Sequence, residues 1–98
     1  ITQILINLVK NAVQADARNI VITAQLTLSE QTVINVSNDG LPISRESQDE
    51  IFVPFFTTKQ EGTGIGLSLS RQIMRLHNGS LTLTKSDAQS TVFTLIFR

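Results

Sequence analysis

Cysteine is absent from this chain of 98 residues, which excludes disulfides, thiolate metal sites and cysteine nucleophiles. Histidine occurs once, at His77, so neither a multi-histidine metal centre nor a histidine dyad can form. An excess of either charge is lacking too, since eight Lys and Arg balance eight Asp and Glu for a formal net charge of +0. Gripping phosphates along a nucleic acid needs surplus positive charge, so no nucleic-acid partner is expected. No apolar run approaches the ~20 residues of a membrane-spanning helix, and no direct membrane contact is expected. Ile1 lies inside an apolar-periodic segment, so the chain is expected to be a piece of a longer protein. What it does have is a hydrophobic fraction of 41% and a mean hydropathy of +0.11. That is enough for one compact domain over residues 1–98, and it excludes intrinsic disorder.

Ile1, Ile4, Leu5, Leu8, Val9, Ala12 and Ala15 recur at helical spacing and predict a helix over 1–15. Ile20, Ile22, Ala24, Leu26 and Leu28 alternate with other residues, predicting a strand over 20–28 with one face on a core. A short hairpin at 29–31 leads to a strand over 32–37, which runs into the turn signal Asn38-Asp39-Gly40. Ser44 is placed to cap a helical turn over 45–51, and 52–59, interrupted by Pro54, reads as loop. A second helix is predicted over 66–77, with Leu69, Ile73, Met74 and Leu76 inward and Gly79 as its stop. Strands over 80–84 and 91–97, joined by a polar loop, close the chain. Strands come in hairpin pairs, so the expected fold is α+β, a two-layer sandwich with a mixed, mostly antiparallel sheet and helices packed on one face.

Four stretches carry candidate chemistry. Asn7 and Asn11 share a helix face, and their carboxamide oxygens are of the type that binds a hard cation such as Mg²⁺; taken alone, the pair reads first as an ordinary solvated face. Asn38-Asp39-Gly40 is either a plain turn or a ligand-reading strand end. Phe55-Phe56-Thr57-Thr58-Lys59 places two hydroxyls and a cation after two aromatics, which either anchor a ligand-facing loop or simply complete the core. Gly62-Thr63-Gly64-Ile65-Gly66-Leu67 runs straight into a helix, where free amides can meet a phosphate. Its G-x-G-x-G spacing is neither the dinucleotide fingerprint nor a P-loop.

In this order, the four stretches resemble the catalytic ATP-binding domain of sensor histidine kinases, within the histidine kinase-like (Bergerat) ATPase superfamily. Residues 4–12 resemble its N box, 37–43 its first glycine box, 51–59 its F box and 62–69 its second glycine box. The stretches at 76–81 and 90–93 resemble its closing strands. The resemblance implies an α/β sandwich holding ATP and Mg²⁺ between helices and sheet. It implies Asn11 as the Mg²⁺ ligand, with Asn7 lining the same site, and Lys10 as an electrostatic aid. Asn38 stands at the adenine-reading position, Gly40 at the close approach to the base, and Thr91 at a water-mediated adenine contact. Ile43, Ile65 and Leu67 are carried over as binding-site residues. Thr57, Thr58 and Lys59 would face the phosphates, and Gly62, Gly64 and Gly66 would shape the lid.

The family usually has Asp where Asn38 stands, and here the acid is shifted to Asp39. A carboxamide keeps an acceptor but loses charge assistance, so ATP affinity is expected to be weaker by up to roughly tenfold. Pro42 replaces a glycine, and Gln14 and Ala15 replace a lysine and an aromatic. No catalytic residue is expected in this chain, because the phosphoacceptor histidine belongs to helices outside it and His77 is expected to be structural. The implied partners are those dimerisation and phosphoacceptor helices, in a homodimer, and a response-regulator receiver domain. The implied location is cytoplasmic, with anchoring of the parent in the inner membrane left open. Two alternatives remain: a clamp-type hydrolytic ATPase, which would need Glu where Asn7 stands, and a degenerate domain that binds nucleotide or scaffolds without kinase activity.

Overall fold

The computed structural model describes residues 2–48, 50–53 and 66–97. Helix α1 spans Thr2–Gln14, and strands β1 and β2 span Ile20–Leu26 and Thr32–Asn38. The short helix α2 spans Arg45–Gln48 and helix α3 Gly66–Leu76. Strands β3 and β4 span Ser80–Ser86 and Thr91–Phe97. The described strands form one sheet in the order β1-β2-β4-β3, with every pairing antiparallel.

Cross-strand partners point to the same side of a sheet, so Val36 opposite Phe93 and Ile34 opposite Leu95 define the inner face. Ile4 and Leu8 of α1, Met74 of α3 and Leu81 of β3 close over them as one buried core. The expected α+β sandwich with helices on one face is the observed one.

Three local expectations change. Strand β1 stops at Leu26, because Thr27 and Gln31 close the hairpin with an N–H···O bond of 2.8 Å and Glu30 adopts φ 64°. The inner face of β1 is covered only at Ile20, which packs against the core: Ile22 is 48% and Leu26 72% exposed. In α3 the buried side runs through Ser70 and Met74, with Leu67 half-buried beside them, whereas Leu69 and Leu76 are exposed.

Both long helices end in the same device. The Ala17 N–H donates to Ala12 and the Gly79 N–H to Met74, around Asp16 at φ 61° and Asn78 at φ 59°. These are Schellman closures with a short polar residue in the left-handed position. Asn78 therefore takes the stop conformation expected of Gly79. Gly79 is needed for another reason, since a Cβ there would lie 2.6 Å from the Ile96 carbonyl.

Candidate functional site

Strand β2 ends at Asn38, which lies opposite Thr91 of β4, and both side chains are buried. The Gly40 N–H donates to Asn38 Oδ1 at 2.9 Å, folding the chain back in an Asx turn. Three residues later the Ile43 N–H donates to Ser86 Oγ at 2.8 Å, and Ser86 Oγ lies 2.8 Å from Thr91 Oγ1. The segment after β2 is thus fastened at both ends to the same corner of the sheet. Ile43 packs on the core margin, and its carbonyl accepts from Gln48 Nε2 at 3.0 Å. Ser86 reaches this corner because the β3–β4 register shifts between Leu83 and Lys85. One extra residue turns the following side chains to the opposite face, and β3 extends to Ser86 instead of ending at Thr84.

Asp39 faces elsewhere. Its Oδ1 accepts the N–H groups of Arg18 and Asn19 at 2.7 and 2.9 Å, and its Oδ2 accepts Asn19 Nδ2 at 2.9 Å. The Asn19 backbone bond is the largest cause holding this carboxyl at about 2, below its ordinary 3.8. The acid next to Asn38 therefore belongs to the turn between α1 and β1 and does not stand in for it. Gly40 lies against the end of α1: a Cβ would come 2.6 Å from the Ala15 carbonyl, which already accepts the Leu41 N–H at 2.7 Å. The helix end itself requires glycine there.

That contact joins the Asn38 turn to the last turn of α1, where the Ala15 N–H donates to the Asn11 carbonyl at 3.0 Å. One helical turn earlier, Asn7 Nδ2 donates to Ser70 Oγ of α3 at 3.1 Å, and Asn7 Oδ1 accepts from Gln3 Nε2 at 3.4 Å. Asn7 and Asn11 are half-buried and Lys10 is exposed. Among the described residues no group of three His, Cys, Asp or Glu could hold a metal ion. The chain thus offers neutral carboxamide oxygens, a donor set suited to Mg²⁺ that keeps water and phosphate oxygens as its other ligands.

Phe52 meets Phe93 edge-on at 6.4 Å, and the Arg71 guanidinium lies 4.2 Å above the Phe52 ring. This anchors the start of the F-box stretch to α3. Gly66 opens α3 and Leu67 packs on the core margin. Thr57, Thr58, Lys59, Gly62, Gly64 and Ile65 lie outside the described residues. His77 sits exposed just beyond α3, its N–H donating to the Ile73 and Met74 carbonyls.

Sequence reasoning missed Ser70, Ser86 and Arg71. Ser70 had a signal, being three residues after Leu67 and four before Met74 on one helix face. Ser86 had none, because a register shift carries no residue signature.

The family model described as histidine kinase-, DNA gyrase B-, and HSP90-like ATPase matches residues 1–98. Sensor histidine kinase ZraS of Escherichia coli strain K12 is 38% identical over 96 residues, which is 97% of this chain and 21% of that protein. The signal transduction histidine-protein kinase AtoS of the same strain is 40% identical over 96 residues, covering 96% of this chain and 16% of that protein. The chain thus spans about a fifth of the length of these curated relatives. Among solved structures, the catalytic domain of histidine kinase ThkA superposes with a TM-score of 0.81 at 40% identity, over 97% of this chain and 63% of that one. Full-length ShkA in complex with AMPPNP shares the fold, with a TM-score of 0.85 at 24% identity over 97% of this chain and 20% of that one.

Proposed function

The chain belongs to the histidine kinase-, DNA gyrase B-, and HSP90-like ATPase family, and we propose that it presents Mg²⁺-ATP as the catalytic domain of a sensor histidine kinase. One observation carries the reading. The Asn38 turn is tied both to Thr91 and Ser86 on the sheet and to the end of the helix bearing Asn7 and Asn11. A base-reading carboxamide and cation-binding carboxamides on such a frame suit opposite ends of one nucleotide.

In this reading Asn38 and Thr91 orient the base, and Gly40 and Ile43 line its approach. Asn11, with Asn7, would hold Mg²⁺, which neutralises charge on the phosphate oxygens when bound. Lys10, Thr57, Thr58 and Lys59 would face the phosphates, and Gly62, Gly64, Ile65, Gly66 and Leu67 would shape the cover over them. The γ-phosphorus bond to the bridging oxygen breaks and ADP leaves. A new bond forms to an imidazole nitrogen, whose proton passes to a base on the acceptor helices. This chain supplies position and electrostatics, which is where most of the catalytic effect in phosphoryl transfer arises. The acceptor histidine lies on dimerisation helices of a homodimer, and a receiver-domain aspartate is the next acceptor. The domain acts in the cytoplasm; among the described residues no helix is long and apolar enough to cross a membrane. A hydrolytic clamp is disfavoured because Asn7, bonded to Ser70, cannot take a proton.

ATP titration of the full-length protein with and without Mg²⁺ tests the reading. Asn11→Ala is expected to weaken Mg²⁺-dependent binding about tenfold, the worth of one good ligand contact, and to leave metal-free binding unchanged. Equal loss in both conditions removes the metal assignment. No saturable binding at millimolar ATP favours the scaffold alternative.

A further inference from the structure

We propose that Asn38 relaxes base selection at this site, so that 6-oxopurine nucleotides, the inosine and guanosine triphosphates, bind alongside ATP. The proposal rests on the reading above that Asn38 faces the base.

The Gly40 N–H donates to the Asn38 side chain at 2.9 Å. An N–H needs an acceptor, so this bond fixes the oxygen end of the carboxamide in the turn. The other end, Nδ2, has no acceptor among the described residues. No buried side-chain nitrogen or oxygen among them lacks a partner, so Nδ2 keeps some exposure on a residue that is otherwise buried. The group left to meet a ligand is therefore a donor, beside an oxygen with one lone pair still free.

Purines differ at the 6-position. Adenine carries an amino donor there, next to the N1 acceptor. Guanine and hypoxanthine carry a carbonyl acceptor, next to an N1–H donor. A carboxylate offers only acceptors, so it welcomes the amino group and repels the carbonyl. That repulsion is the discriminating element, since selection between similar ligands depends on what opposes the wrong one. A carboxamide offers one donor and one acceptor and can pair with either edge. Replacing the acid removes charge assistance from the adenine bond and removes the penalty on the 6-oxo edge.

Among the described residues nothing nearby restores the selection. Thr91 and Ser86 are hydroxyls, which rotate to donate or accept. The Ile43 N–H is spent on Ser86. Asp39, the carboxylate next to Asn38 in the chain, is committed to Arg18 and Asn19.

The test is calorimetric titration of the full-length protein with ATP, ITP and GTP in Mg²⁺, for the natural sequence and for Asn38→Asp. The expected result is an ITP Kd within about tenfold of the ATP Kd, the scale of one neutral hydrogen bond. Asn38→Asp should shift the ITP-to-ATP Kd ratio at least about tenfold towards ATP. A carboxylate can still accept the Gly40 N–H, and a matching melting temperature checks that the turn survives; the natural ratio needs no variant. GTP, with its extra 2-amino group, should follow ITP in its response to Asn38→Asp. ATP binding with ITP weaker by more than tenfold, or a ratio unmoved by Asn38→Asp, overturns the proposal and leaves the kinase reading standing. No saturable ATP binding overturns both.

Discussion

The carboxylate of Asp39 receives two backbone N–H groups and the Asn19 amide, and these bonds hold it at about 2. The direction of the linkage follows from that depression. A group more acidic in the folded state favours folding fully above its unfolded pKa and ceases to do so as pH falls through the folded one. For Asp39 the window runs from its ordinary 3.8 down to about 2. Thermal melts of the natural protein and of Asp39→Asn should therefore differ at neutral pH, with the natural protein the more stable, and converge as pH drops through this window. Melting curves that stay apart, or never differ, would show that the three bonds do not favour the charged form. Its neighbour Asn38 carries no charge, so the base preference proposed for that turn should stay constant through the same range.

Helices α1 and α3 end on the same closure, and this can be tested at Asn78, which is exposed and holds φ 59°. Left-handed backbone strains any residue with a Cβ, and Asn tolerates it better than Ala. Asn78→Ala should cost about 1 kcal/mol, while Asn78→Gly should be neutral or stabilising; denaturant unfolding reads both. Equal effects of the two substitutions would remove the left-handed assignment. The elements differ in how far their residues disclose them. The buried line Ile4, Leu8 and Ala12 of α1 has no polar interruption, and β2 alternates cleanly through buried Ile34, Val36 and Asn38, so these were legible. In α3 a buried serine occupies the central inward position, satisfied by Asn7 from another helix. Periodicity counts that serine as outward and so tilts the expected face towards Leu69 and Leu76. The turn at Asn38 was legible from its residue types. The Ser86 anchor was not, because it depends on a register shift, and neither was the commitment of Asp39, because its partners lie about twenty residues earlier in the chain.

Across the whole molecule the two layers are unequal in extent, for the helices lie over β2, β4 and β3 and leave β1 at an open margin. Alternation in β1 announces a face, but burial of that face depends on what the rest of the fold can cover. Val21, Ile22 and Leu26 are all exposed, on a strand whose outer edge has no strand beside it among the described residues. Such an edge offers both unpaired backbone groups and apolar area to another strand. The 98-residue chain is therefore expected to self-associate as its concentration rises, through β1 and not through the turn at Asn38. Leu26→Lys is the discriminating substitution. Leu26 is 72% exposed, so the change should alter fold stability by no more than about 0.5 kcal/mol, while its charge opposes edge-to-edge pairing. Sedimentation should show mass rising with concentration for the natural chain and staying at the monomer value for Leu26→Lys, with matching melting temperatures. If both rise alike, association uses another surface; if neither rises, the open margin of β1 tolerates water without seeking a partner.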